Sequence, residues 1–369
     1  MKLESSLKYI QLVKDLVKRL KLDLTGHCVL TECASNGYAY TPIIAAIAGA
    51  NVYAVGKDSK FGQFEDNKNF ILNLSEQSHA KGKIEFFKDN LPEEKWIDPT
   101  VITNSGFLRP FTKAKIEKLN NKAVICLMWE TWEFRPEEID LKSCLNNNVL
   151  VIGTNEGFID ANMYGYPGML CLKLLFEAGF PVVNNTFVLI GEGLTGCLIA
   201  KTFFKLGIRF HWFVDSVSTY KKHGPCKHYS ELPSILELDH LDAIICADHV
   251  SKTPPIGKLG FIKLDQIKKK FPHITWAHLT GPVNVEELTE NSITFYPREI
   301  LPVGYMTFET QELGIEPVIV LNSAGLKVGE LCANSRMQGK NIDETIKICV
   351  DHGIGQDFEG GFSNLTTTK

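Results

Sequence analysis

Three glycines at fixed spacing, Gly191, Gly193 and Gly196, follow a short apolar run from Thr186 to Ile190. After them come apolar residues at helical spacing, Leu198, Ile199, Phe203 and Leu206, then Gly207, then a second apolar run that ends in Asp215. The order is strand, glycine turn, helix, strand, acid, which is that of a dinucleotide-binding unit. Gly191 permits the tight turn, Gly193 lets a pyrophosphate approach the backbone, and Gly196 lets the helix lie close to the strand. Leu194 and Thr195 open the helix, whose first turn offers free N–H groups and a positive dipole end to phosphates. Asp215 stands where a carboxylate accepts hydrogen bonds from ribose hydroxyls and repels a 2′-phosphate. NAD is therefore expected, with NADP less favoured, although Lys221 and Lys222 follow closely. FAD uses the same fingerprint, but the motif lies mid-chain here and the length is modest.

Ligands of doubly wound sheets bind beyond the carboxyl ends of the strands, which selects a second set of residues. The densest stretch is Trp129-Glu130-Thr131-Trp132-Glu133-Phe134-Arg135, just after the apolar run AVICLM. A carboxylate buried beside indole rings has a raised pKa and suits general acid/base work. An arginine nearby, Arg135 or Arg109, could clamp a substrate carboxylate. The same stretch could equally be a structural loop. Arg109 follows Thr103, Asn104 and Ser105, which could hold an anionic or amide substrate or simply stabilise a turn. Glu32 and residues 36–40 read more simply as a polar loop. His278 and His249 end strand-like runs, and imidazole is a usual proton partner of hydride transfer. Alternation along Ile274, Trp276 and His278 could instead turn His278 into packing. Lys327 reads as a solvated helix lysine. The cluster His223-x-x-Cys226-x-His228 lacks a fourth ligand at fixed spacing and reads as a solvated loop, so no metal site is expected.

The elements that must position these groups alternate. Strand candidates HCVLTE, NVYAVGKD, KIEFF, TVITNS, AVICLMWE and NVLVIG are separated by helical stretches such as YTPIIAAIAGA and those near 61–78, 112–119 and 137–147. A helical pattern over about 160–178 leads to a second series, TFVLIG, RFHWFV, DAIICAD, ITWAHL and SITFY. Strands alternating with helices imply parallel, doubly wound sheets. The expected fold class is α/β, with two Rossmann-like domains and a cleft between them. Residues 1–155 form an N-terminal substrate domain, completed by 298–369, and residues 156–297 form the NAD-binding domain. The lysine-flanked stripe Leu7, Ile10, Val13, Leu16, Val17, Leu20 reads as a helix docked on the chain's own core.

Two such domains fit 369 residues. A net charge of −4 offers no basic footprint for nucleic acid. No apolar run is long enough to span a membrane. Ten cysteines stand singly, without CxxC spacing or an N-terminal signal pattern. A cytoplasmic compartment is expected.

An α/β domain interrupted by a dinucleotide domain, with Gly191–Gly196 and Asp215 as its specific motif, resembles the formate/D-2-hydroxyacid dehydrogenase superfamily. S-adenosylhomocysteine hydrolase and alanine dehydrogenase share the plan. The resemblance implies an active site in the interdomain cleft, a small-molecule substrate and possible homo-oligomers. It also implies a catalytic arginine after a strand of the dinucleotide domain and a histidine near the domain return. Here the first place offers His278, Thr280 and Gly281. The second reads Leu301-Pro302-Val303-Gly304-Tyr305. Neither catalytic residue carries over, so the chain looks like a divergent branch of that superfamily. An oxidoreductase using His278, Glu130, Arg135 and Arg109 on a small anionic substrate is expected. An enzyme that retains NAD for transient oxidation, or a non-catalytic dinucleotide sensor, remains the alternative.

Overall fold

The structure, a computed structural model, describes residues 3–216 and 224–365. The described residues form two compact units. One runs to Met163 and resumes at Ile315; the other is Tyr164–Gly314.

The sheet of the first unit has strands β1 Cys28–Glu32, β2 Asn51–Gly56, β3 Ile84–Lys88, β4 Val101–Thr103, β5 Val124–Cys126, β6 Leu150–Thr154 and β13 Gly355–Gln356. Their order is β13-β6-β5-β4-β1-β2-β3, parallel except for β13. The inner strands begin as apolar runs, mostly end in small polar or acidic residues and, Cys28 apart, are buried along their length. That pattern belongs to a parallel sheet covered on both faces. Helix α1 Leu3–Arg19 precedes β1, and helices α2 Thr41–Ile47, α3 Phe64–Ser78, α4 Lys113–Ile116 and α5 Leu141–Asn146 lie between strands. Ile10, Val13 and Leu16 of α1 are buried, so its stripe docks within this unit.

The second unit contains α6 Tyr166–Glu177, β7 Thr186–Ile190, α7 Gly193–Leu206, β8 Arg209–Val214, β9 Lys227–His228, β10 Ala243–Ala247, α8 Leu264–Lys270, β11 Thr275–Thr280, α9 Val285–Glu290 and β12 Thr294–Tyr296. Its wholly parallel sheet has the order β12-β11-β10-β7-β8-β9. One apolar cluster gathers α6 and α7 on one face around Phe187 and Phe203. Another gathers Tyr229, Ile267 and Trp276 on the other. Lys227–His228 pairs with Phe213–Val214, so an edge strand stands where the sequence suggested a loop. Lys221, Lys222 and His223 lie outside the described residues.

The chain then returns to the first unit as α10 Glu316–Met337 and α11 Ile342–Asp351. Gly325 and Gly329 let α10 lie close on the sheet. A Cβ at Gly329 would be 2.5 Å from Val101 Cγ1, and one at Gly325 would be 2.5 Å from Met128 Sδ.

The divisions between the units fall later in the chain than 155/156 and 297/298. Asn155 N–H donates to Ile354 O, and Met163 N–H to Glu156 O, which holds 155–163 on the first unit. Thr307 N–H donates to Leu279 O at 2.7 Å, and Thr280 Oγ1 donates to Tyr305 O, so the chain after β12 runs back along β11. No helix among the described residues is long and apolar enough to cross a membrane.

Strand order reverses between β1 and β4 in one sheet and between β7 and β10 in the other. Such switch points are where doubly wound sheets take ligands.

Candidate functional site

In the second unit, Gly191-Glu192-Gly193 turns the chain from β7 into α7. Gly193 has φ +82°, a conformation that side chains of L residues avoid. A Cβ there would lie 2.2 Å from His249 Cε1 and 2.7 Å from Val250 Cγ2. Across the switch point, then, the His249 ring comes up against the glycine turn. Gly191 and Gly196 touch: a Cβ on Gly196 would be 2.5 Å from Gly191 O. The start of α7 is thereby held on the end of β7, and Leu194 and Thr195 are half-buried in its first turn. Trp212 Nε1–H donates to Gly191 O at 3.1 Å and ties the turn to β8.

Glu192 caps no N–H group of α7 with its side chain. Its buried carboxylate accepts instead from the N–H groups of Asp215 at 2.6 Å and Ser216 at 2.9 Å. Asp215 keeps its own carboxylate exposed, with His228 Nε2 at 3.7 Å. A glycine turn without room for side chains, a helix start uncapped by a side chain, and an exposed acid at the end of the next strand fit a dinucleotide.

Asp248 is fully buried, and its carboxylate bonds Tyr229 Oη, Val250 N and Ser251 N. His278 is likewise fully buried, on the same face of β11 as Trp276, whose Nε1–H donates to its Nδ1 at 3.3 Å. Burial pushes the imidazole pKa down to about 4, so the ring is neutral. Its Nε2 has no hydrogen-bond partner among the described residues.

In the first unit, the hydroxyls of Thr31 and Thr103 bond across the ends of β1 and β4. Glu32, almost wholly buried, accepts from Phe107 N–H at 3.3 Å. Burial raises its pKa to about 7, against the opposing effects of the N–H groups of Phe107 and Gly106 and the charge of Arg109. Asn104 is fully buried, and its Oδ1 accepts from Met128 N–H at 2.9 Å. Arg109 stacks on Trp129 with Cζ 5.1 Å from the ring centroid. Its Nη1 donates to Glu138 Oε1, which also accepts from Arg135 Nη1 at 3.3 Å. The two arginines thus meet on one carboxylate.

Glu130 is buried, accepting from Trp132 Nε1–H at 2.6 Å and from Glu156 N–H at 3.3 Å. Burial and the neighbouring glutamates raise Glu133 to about 7 and hold Glu156 well above the usual carboxylate range. Lys327, expected to be solvated, is buried. Its ammonium donates to both oxygens of Glu330 and to Lys21 O, because α10 presses this face against the unit's core. Among the described residues no three His, Cys, Asp or Glu side chains are arranged to hold a metal ion.

Glu192 and Glu138 carry no signal in the sequence that marks them as functional, and Glu32 reads there as a polar loop acid. The glycine fingerprint gives no weight to the residue between its first two glycines, and Glu138 lies beyond the strand end that drew attention. For Glu32, the signal available was a carboxylate ending a strand that borders the switch point.

No protein-family model and no curated protein matches the chain. Among solved structures, the A chain of dipicolinate synthase from Bacillus halodurans is 13% identical, with 82% of this chain and 96% of that chain covered and a TM-score of 0.50. Its counterpart from Bacillus subtilis is 11% identical, with 87% and 100% covered and a TM-score of 0.52. D-lactate dehydrogenase with NAD+ from Lactobacillus jensenii is 12% identical, with 77% and 97% covered, at a TM-score of 0.41 that carries no inference. The two dipicolinate synthase chains show the fold, which this chain shares.

Proposed function

We propose that the chain is an NAD-dependent oxidoreductase that moves a hydride between nicotinamide and a small anionic, carboxylate-bearing metabolite. The observation that carries this reading is the turn Gly191–Gly196 at the β7/β10 switch point, with His249 against Gly193 and Asp215 at the end of β8. The second unit is the dinucleotide-binding domain, and the first is the substrate domain. Glu192 supports NAD over NADP. It takes up the N–H groups of Asp215 and Ser216, which could otherwise receive a 2′-phosphate, and it sets a second carboxylate beside Asp215.

Bound nicotinamide supplies or accepts the hydride, and the chain must move a proton with it. Glu32 suits that role, since its pKa is raised to about 7 and it lies near Arg109, in the loop after β4. His278 is enclosed and neutral, and Glu130 is held by Trp132 and the Glu156 N–H. Neither is as well suited.

The test is to mix the protein with NADH and a panel of 2-oxo acids and follow nicotinamide absorbance. Oxidation with at least one acid is expected. Glu32→Gln should bind NADH as the parent does and lose about 100-fold or more in turnover. Failure to bind any nicotinamide dinucleotide sinks the reading.

A further inference from the structure

We propose that the first unit binds a small carboxylate beyond the carboxyl ends of β4 and β5, gripped by N–H groups of Asn104, Trp129 and Arg109. The acid's role as substrate rests on the oxidoreductase reading; the site stands on this unit's own residues. Three buried donors here have no hydrogen-bond partner among the described residues: Asn104 Nδ2, Trp129 Nε1 and Arg109 Nε. They are neighbours. The Met128 N–H bond to Oδ1 fixes which end of the Asn104 amide donates and sets that amide beside the residue preceding Trp129. Arg109 in turn lies over the Trp129 ring.

Folded proteins leave few buried donors unmet, because each has lost its water without regaining an acceptor. Three together where β4 and β5 end, next to the switch point, call for a ligand rich in acceptor oxygens. Arg109 narrows the class. Its Nη1 is held by Glu138, which leaves the Nε–Nη2 edge. That edge presents two parallel N–H bonds that match the two oxygens of a carboxylate. Glu32 borders the same space: a Cβ at Gly106 would lie 3.8 Å from both Arg109 Nη2 and Glu32 Oε2. An acid bound there has a proton-carrying group beside it.

The test is calorimetric titration of the full chain with acetate, pyruvate and malonate, and with inorganic phosphate for comparison, first without and then with saturating NADH. Saturable binding of at least one carboxylate, tighter than phosphate, is expected. Asn104→Asp keeps the acceptor for Met128 N–H and turns the donor into a repelling charge; about 10-fold weaker binding or more is expected. Trp129→Phe keeps a ring beneath Arg109 and removes Nε1–H; about 3- to 10-fold weaker binding is expected, with an unchanged circular dichroism spectrum. No saturable carboxylate binding, preference for phosphate, or parental affinity in Trp129→Phe would overturn the proposal. Carboxylate binding without NADH binding would uphold this site and remove the oxidoreductase reading. NADH binding without carboxylate binding would do the reverse.

Discussion

Replacing Glu192 with glutamine should let the protein accept NADPH. Glu192 lies buried in the glycine turn, and its carboxylate is fixed at the end of β8 by the N–H groups of Asp215 and Ser216. A 2′-phosphate at that strand end would meet two carboxylates, Glu192 and Asp215. Taking a phosphate charge of about −2, a separation of about 6 Å and an effective dielectric of about 40, each carboxylate disfavours it by about 2–3 kcal/mol. In the Glu192→Gln variant the side-chain amide would keep an acceptor for the two N–H groups while losing the charge, so the cost to folding should be about 1 kcal/mol. NADPH affinity should rise about 10- to 100-fold, and NADH affinity should change by about threefold or less. Calorimetric titration with each dinucleotide reads both numbers. Repeating it at high salt should shrink the NADPH gain, since screening weakens the repulsion that was removed. Unchanged NADPH affinity in a folded variant would refute the reasoning. Equal gains for NADH and NADPH would place the carboxylate's effect on the pyrophosphate and refute it as well.

Two further outcomes follow from the same geometry. Gly193→Ala forces a side chain into φ +82° and against His249, so the protein should lose about 2–4 kcal/mol of stability, read by urea denaturation, together with its NADH binding. His278 has its pKa pushed down to about 4 from an ordinary 6.5, so the unfolded chain binds a proton that the folded chain refuses between those values. Its contribution is therefore complete above pH 6.5 and is lost as the pH falls toward 4. The whole effect should be about 3 kcal/mol, and His278→Gln should flatten that part of the stability profile, measured as urea midpoints against pH.

The alternation of apolar runs with helical stretches made both doubly wound sheets legible in the sequence, because parallel strands buried on both faces cannot hide their composition. Short edge strands were not legible. Lys227–His228 and Gly355–Gln356 gain their conformation from the strand they pair with, and two residues carry no periodicity. At the strand ends, residue type and position could be read, but not what each side chain already holds. Lys327 looks like any surface lysine until α10 presses it beside Glu330. Glu32 looks like a loop acid until burial shifts its proton affinity. Asn104 stands out only once its oxygen is seen to be used and its nitrogen is not.

The central claim is that the turn at Gly191–Gly196, with Asp215, holds NAD. Calorimetric titration of the purified protein, stripped of any bound nucleotide, with NADH and separately with NADPH tests it most directly. Saturable NADH binding at micromolar concentration and much weaker NADPH binding are expected. Binding of neither would contradict it and would leave the glycine turn a feature of the scaffold alone.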